Sequence, residues 1–496
     1  MEFLGLINST FILLLTGGTI LGIIFGVIPG LTATMAVAVC LPLTYSLGLE
    51  NGLALLIGLY VGGISGGVVP AILIGIPGTP SSVATTFDGY QMALQGKGEQ
   101  AMRISIIGSL IGGLFSLVAL YLFAPFLADF AIRFSYVEKF LIILFALTVI
   151  AALSKDMLMG IFSGFLGILI SLVGVYDVTD GGNGHLRLVP PGFENTLYSG
   201  FSLLPMLIAV FGMTVVLEEA EAGMPKGQSM HELESGSKSR FSWSLFKGQV
   251  LNLIRSSGIG TFVGILPGIG GSAASILAYT AAKQSSSHPE TFGTGEPAGV
   301  IASETSNNAL TGGALVPLLS LGIPGDSTTA LLIGAFALQG IQIGPLFIGQ
   351  HPDIWNSMVI AMILANIVTF VAMYYAIRWF SLAVAIPKAI LYPVILMMCV
   401  IGAFTINYGI MFDVWTLFIF GILGWVGIKV GLEIAPFIIG FILGPSAEIY
   451  FVKSLESFGD VSIFFTKSWI ALVMWVLIAA SVVVSILLAR KNRATA

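Results

Sequence analysis

Two apolar runs in this chain break on the same pattern. Val68-Val69-Pro70-Ala71-Ile72-Leu73-Ile74 runs into Gly75-Ile76-Pro77-Gly78, and Leu315-Val316-Pro317-Leu318-Leu319-Ser320-Leu321 runs into Gly322-Ile323-Pro324-Gly325. Hydroxyl-bearing residues follow each break: Thr79, Ser81 and Ser82 in the first, and Ser327, Thr328 and Thr329 behind Asp326 in the second. Proline has no N–H to give a helix and its ring collides with the preceding turn, so neither run continues as one helix. In apolar surroundings the freed backbone groups must be met by protein, water or a polar ligand. A fold for this chain has to provide those partners.

The surroundings are apolar indeed. Of 496 residues 56% are hydrophobic and only 9% charged, against about 25% charged in an ordinary soluble domain. So few charges cannot cover the surface of a soluble fold, and the chain reads as an all-α polytopic protein embedded in a lipid bilayer. Its 61 glycines fit close helix approach in a membrane. At about 20 residues per span, the length accommodates roughly 10–12 transmembrane or re-entrant helices. The net charge of −5 is spread out, without the basic stripe that nucleic acid would need. Cys40 and Cys399 stand alone in apolar runs, so neither a disulfide nor a metal centre is expected.

The first apolar run follows Met1-Glu2-Phe3-Leu4, which has no basic leader, and reads as a retained membrane segment. Ser468 to Ala489 is uncharged, carries Trp469 and Trp475, and ends on Arg490-Lys491-Asn492-Arg493. That is a spanning helix with a basic stop, which predicts a cytoplasmic C-terminus. The longest polar interruption, 218–247, contains Lys226, Lys238, Arg240 and Lys247 and reads as a cytoplasmic linker. It separates a first membrane repeat, 1–217, from a second, 248–496.

The halves match in order. Pro70 and Pro317 stand 247 residues apart; Gly26-Val27-Ile28-Pro29-Gly30 returns 238 residues later as Gly264-Ile265-Leu266-Pro267-Gly268; Ala93-Leu94-Gln95-Gly96 returns 244 later as Ala337-Leu338-Gln339-Gly340. Paired interruptions at corresponding positions of two halves point to a transporter's binding site. The pairs are read as inverted repeats. Inversion needs an odd number of crossings per repeat, and extra peripheral helices reconcile that with a cytoplasmic linker and C-terminus.

A half-helix starting at membrane depth aims N–H groups and a positive dipole end into the cavity, which suits a carboxylate. One that ends there offers carbonyl oxygens to a cation. Hydroxyls serve either ligand. The candidate substrate-binding residues are therefore Pro29, Gly30 and Thr32; Pro77, Gly78, Thr79, Ser81 and Ser82; Pro267, Gly268, Gly270 and Ser272; and Pro324, Gly325, Ser327, Thr328 and Thr329. Thr34 and Gly271 lie beside them. Glycine and proline also allow kinks and tight packing with no ligand at all, a reading that weakens when four breaks fall at paired positions.

The second half adds Phe292-Gly293-Thr294-Gly295-Glu296-Pro297, then Glu304-Thr305-Ser306-Asn307-Asn308. The positions 247 residues earlier than Glu304, Asn307 and Asn308 are Ile57, Tyr60 and Val61, so the half-sites are chemically unequal. An ionisable residue at membrane depth is a functional candidate, and Glu304, Asn307, Asn308 and Asp326 are the candidate coupling-ion ligands. Glu304 has an alternative reading as a helix-start residue at the interface. Asp88 and Lys97 read as the solvated end of a hairpin.

These Pro-Gly segments, the run from Gly293 to Asn308 and the Gly-Ile-Pro-Gly repeat resemble the large membrane subunit of tripartite tricarboxylate transporters, over about Leu4 to Ala489. The family pattern has a proline just before the acid where Ser303 stands here, which bears on where the local helix begins. The resemblance implies a bacterial inner-membrane secondary transporter for a citrate-like di- or tricarboxylate, with no cofactor beyond a coupling Na⁺ or H⁺. It also implies two partners, a small membrane subunit and a periplasmic solute-binding protein. The nearest alternative is a self-sufficient cation/carboxylate symporter. Gly63-Ile64-Ser65-Gly66-Gly67 fits the Gly-x-Ser-x-Gly nucleophile pattern. A hydrolase would need a base at that depth, and His185, His231, His288 and His351 all lie in polar segments, so an enzyme is not expected. A channel would show non-saturating flux. With no Walker A motif, the drive must come from an ion gradient or another subunit.

Overall fold

In the computed structural model, the residues described are 8–154, 156–176, 185–222, 243–383, 386, 388–406 and 409–495. Met1 to Leu4, His231 and most of the expected linker, including Lys226, Lys238 and Arg240, lie outside them. The first helices are α1 (Ser9–Val27), α2 (Ala33–Cys40), α3 (Leu49–Gly66), α4 (Val68–Leu73) and α5 (Val83–Leu94). Then come α6 (Gly98–Ala131), α7 (Tyr136–Leu153) and α8 (Met157–Ser171), a short hairpin of β1 (Gly174–Tyr176) and β2 (His185–Arg187), and α9 (Leu203–Glu221). The second half begins with α10 (Val250–Ile265), α11 (Gly270–Gln284), α12 (Pro297–Leu321) and α13 (Ser327–Leu338). It ends with α14 (Pro352–Ala383), α15 (Lys388–Ile406), α16 (Met411–Lys429), α17 (Ile434–Phe458) and α18 (Trp469–Thr495).

Eight of the described helices are long and apolar enough to cross a bilayer, and five shorter apolar helices accompany them. This is an all-α polytopic membrane protein, with the two-stranded hairpin as a small addition. The helix α12 is not among the eight, because Glu304 and its polar neighbours lower its hydropathy. It spans 25 residues and is buried from Gly299 to Ser320.

The chain forms two compact units. The first takes the described residues within 1–128, 215–265 and 269–398, and the second those within 129–214, 266–268 and 399–496. In the first unit α1 packs on α3 through backbone. A Cβ on Gly18, Gly22 or Gly26 would lie 2.4, 2.5 or 2.2 Å from the carbonyl oxygens of Leu55, Leu59 and Gly63. The contacts advance together along both helices, so the two run parallel and the chain returns between them through Ala33–Leu47. The second half repeats the pairing: Gly260 and Gly264 of α10 face the carbonyls of Ser306 and Leu310 on α12. Side chains here would hold the helices apart and lose dispersion contact that lipid cannot replace.

The second unit uses the same device between α8 and α17, where Gly167 faces the Phe437 carbonyl and Gly440 that of Gly164. Arg187 of β2 forms an ion pair with Glu448. Apolar side chains such as Phe162, Phe165 and Trp415 point outward, which a soluble fold avoids and a bilayer accepts.

Candidate functional site

The two long breaks take one local shape. Each apolar helix ends at a glycine of positive φ, Gly75 at +70° and Gly322 at +74°. A capping residue then restarts the chain: Thr79 before a short 3-10 turn and α5, and Asp326 before α13. Both restarted helices have 12 residues and end on Gln95 and Gln339. The close approaches repeat as well. A Cβ on Gly78 would sit 2.2 Å from the Gly26 carbonyl oxygen, and one on Gly325 would sit 2.5 Å from that of Gly264. Each long break thus seats itself on the partner helix of its own half.

Across the halves, the breaks cross. Thr34, just after the first short break, shares a 2.8 Å hydrogen bond with Thr328 at the second long break. Ser272 donates to the Pro80 carbonyl at 2.7 Å, and Gly271 packs on Ser81. Thr34, Ser81, Gly271, Ser272 and Thr328 thereby join breaks that are up to 294 residues apart in sequence. Thr79, Ser81 and Ser82 bond mainly among themselves, and Ser82 also donates to the Gly67 carbonyl. Thr32 accepts from Met35 N as the cap of α2. Gly30, at φ +90°, lies against the Glu219 carboxylate. Gly270 and Ser272 open α11, whose start has no side-chain cap. Pro267 and Gly268 belong to the second unit, Gly268 against Ile150. Pro29, Pro77 and Ser327 are half-buried, while Pro324 and Thr329 are buried.

Asp326 is committed. Its Oδ1 accepts from Thr329 N at 2.7 Å and from the Thr329 hydroxyl at 2.8 Å, and Oδ2 accepts from the Tyr60 hydroxyl at 2.6 Å. The acid fastens the start of α13 to α3.

Glu304 lies seven residues into α12, fully buried. The helix starts at Pro297 under the Glu296 cap, which sets aside the interface reading of Glu304 and removes any need for a proline at Ser303. Thr85 donates to Oε1; Ser109 at 3.4 Å and Asn307 at 3.5 Å donate to Oε2. The network continues: Asn308 donates to Ser109 at 2.7 Å, and Ser65 donates to Asn308 at 2.6 Å. No ion pair joins Glu304 to a basic residue among those described. A buried carboxyl met only by neutral donors is costly as a bare anion, and a proton or a cation would relieve that cost.

Asp88 overturns its reading as a solvated hairpin end. It is fully buried, although Lys97 is exposed. Three backbone N–H groups, of Gly293, Gly295 and Glu296, converge on Oδ1 at 2.8 Å each, and Tyr279 donates to Oδ2 at 2.9 Å. Gly293 and Gly295 have φ of +92° and +108°, the conformations that let successive N–H groups face one anion. The polar run ahead of Pro297 therefore clasps the first half's hairpin, helped by Gln95 donating to the Thr294 carbonyl at 2.7 Å. The clasp lies one helical turn from Thr85 and holds that hydroxyl on Glu304. Charged hydrogen bonds contribute about 1.5–3 kcal/mol each, so Asp88→Ala is expected to leave little folded protein. Fluorescence-detected size exclusion should show the loss, with Asp88→Asn intermediate.

Sequence reasoning missed Thr85, Ser109 and Tyr60, and weighed Ser65 only as a nucleophile. One signal was present: Ser105, Ser109, Gly112, Gly113 and Ser116 mark one small, polar face of α6 at helical spacing. The second unit has a cavity of about 220 Å³ with a mainly apolar wall of residues such as Leu166, Ile170 and Phe420. Its polar lining is Ser163 and Glu433, and the Glu433 N–H donates to the Ser163 hydroxyl at 3.0 Å.

Broken helices crossing over a buried carboxyl are the architecture of a membrane transporter. The comparisons agree: the chain matches the model of the tripartite tricarboxylate transporter TctA family over residues 12–439, and it belongs to that family. It is thus a component of a tripartite tricarboxylate transporter, a system that includes other subunits. It is 33% identical over 399 residues to an "uncharacterized 52.8 kDa protein in TAR-I ttuC' 3'region" of Agrobacterium vitis, covering 80% of this chain and 78% of that one. An "uncharacterized protein in TAR-II ttuC' 3'region" of the same organism is 37% identical over 209 residues, 42% of this chain and 86% of that one. No solved structure matches.

Proposed function

We propose that this chain is the permease of a bacterial inner-membrane importer for a citrate-like di- or tricarboxylate, driven by an ion gradient. A periplasmic binding protein loads it and a small membrane subunit accompanies it. The observation that carries this reading is the crossing of paired breaks beside a buried acid that has no basic partner among the described residues. Substrate carboxylates would meet the uncapped start of α11, with Gly270, Gly271 and Ser272, and the neighbouring Thr79 and Ser81. The coupling cation would be held near Glu304, Asn307 and Asn308, while Asp326 fixes the second break against Tyr60.

Counterflow tests it. All three components in proteoliposomes should exchange labelled di- or tricarboxylate with saturation, and an inward cation gradient should drive accumulation. Failure of every carboxylate to exchange would end the proposal. Equal uptake by this chain alone would instead favour a self-sufficient symporter.

A further inference from the structure

Between α3, α6 and α14 of the first unit lies a cavity of about 10 Å³, lined by Ser65, Ser109, Asn366 and Thr369 together with apolar side chains. We propose that this cavity binds one monovalent cation of Na⁺ size, coordinated by neutral oxygens and balanced by Glu304 behind Ser109. The proposal rests on ion-driven transport only for the cation's role; the site itself is defined without it.

The volume is about that of one water-sized centre, so the occupant is a single small particle. A proton on Glu304 would need no such space. Water and Na⁺ differ in what they ask of the wall: water must both donate and accept, whereas a hard cation needs only lone pairs. Most of the wall's protons are already spent, which leaves hydroxyl and amide oxygens to face the cavity. Ser65 spends its proton on Asn308, and Ser109 spends its proton on Glu304. One Asn366 amide hydrogen goes to the Met362 carbonyl at 2.8 Å. Thr369 Oγ1 is buried, on a residue of the wall, with no hydrogen-bond partner among the described residues. Leaving a buried hydroxyl unsatisfied is costly, a penalty that a ligand here would remove.

The charge pattern agrees. Glu304 is one hydrogen bond from the cavity wall. Arg103, the basic residue of α6, is held by Glu99 at 2.8 Å. Gly113 also belongs to the design, because a Cβ there would overlap Asn366 Oδ1 at 1.9 Å. Any larger residue would push the amide from its place beside the cavity. A larger cation such as K⁺ would need a wider cage.

Binding of ²²Na⁺ to the purified full-length chain, by scintillation proximity, tests the site directly. Saturable binding is expected, displaced by Na⁺ and Li⁺ but not by K⁺ or choline. Thr369→Val keeps the shape and removes the hydroxyl, and should weaken Na⁺ about tenfold, the loss of one good contact. Thr369→Ser should restore binding, and the control Ser320→Ala should leave it unchanged. NaCl should also raise the wild-type unfolding temperature relative to choline chloride. Absence of ²²Na⁺ binding by folded wild type overturns the proposal in favour of a water site, as does wild-type affinity in Thr369→Val. Binding that is lost in Thr369→Val supports the site even if no carboxylate exchanges, so the two readings fail separately.

Discussion

Alanine at Gly78 or Gly325 is expected to abolish the folded protein, while alanine at Gly270 is expected to leave the fold standing. The new methyl group at position 78 would lie 2.2 Å from the Gly26 carbonyl oxygen and 2.8 Å from Gly67 Cα; at position 325 it would lie 2.5 Å from both Gly264 O and Ala314 Cα. These are backbone atoms of packed helices, which cannot swing aside as the end of a side chain can. Overpacking commonly costs about 1–3 kcal/mol, and a collision with backbone on two sides belongs at or above the top of that range. Gly270 has a φ of +74° but nothing within 4 Å of an added Cβ, so only backbone strain opposes the change, roughly 1–2 kcal/mol. Unfolding temperatures in detergent, read beside uptake, give the order directly. Wild-type stability in Gly325→Ala would mean that the break does not seat on α10. Pro324→Ala changes the break without that collision and so separates helix continuity from packing.

That the breaks were legible in sequence, and their crossing was not, has a physical reason. A glycine of positive φ and a proline without an N–H are local facts of backbone chemistry, so the matched turns at Gly75 and Gly322 follow from the residues themselves. The Thr34–Thr328 and Ser272–Pro80 contacts depend on how helices pack, and nothing near Thr34 marks residue 328 as its neighbour. Glu304 stood out because a charge inside an apolar run is rare. Asp88 was misread for the complementary reason: beside glycine, glutamine and lysine it looks like a solvated turn, and the N–H groups that bury it come from Gly293 to Glu296, more than 200 residues away. Thr369 and Asn366 are single polar residues in a long apolar helix. Only the cavity they line with Ser65 and Ser109 distinguishes them from ordinary helix-facing polar residues.

Glu304→Gln should separate exchange from accumulation. Among the described residues the hydrogen bonds that reach the Glu304 carboxylate come from neutral donors, Thr85, Ser109 and Asn307, which supply polarity without a compensating positive charge. Glutamine keeps the shape and an oxygen for Thr85. Its NH₂ would turn toward the Ser109 hydroxyl and the Asn307 amide, a mismatch of donors worth about 1–3 kcal/mol of stability. The folded protein should survive that loss in measurable amounts. The negative charge that attracts a cation is gone, and the side chain imitates the acid in its neutralised state. A transporter locked in that state still exchanges substrate across the membrane but cannot draw on the ion gradient. Counterflow should therefore persist in Glu304→Gln while gradient-driven accumulation falls by about two orders of magnitude, near 2.7 kcal/mol of lost coupling. Glu304→Leu, which also strands the donors of Thr85 and Ser109, should lose both activities. Undiminished accumulation in Glu304→Gln would assign the acid to packing alone and move the coupling site elsewhere in the first unit.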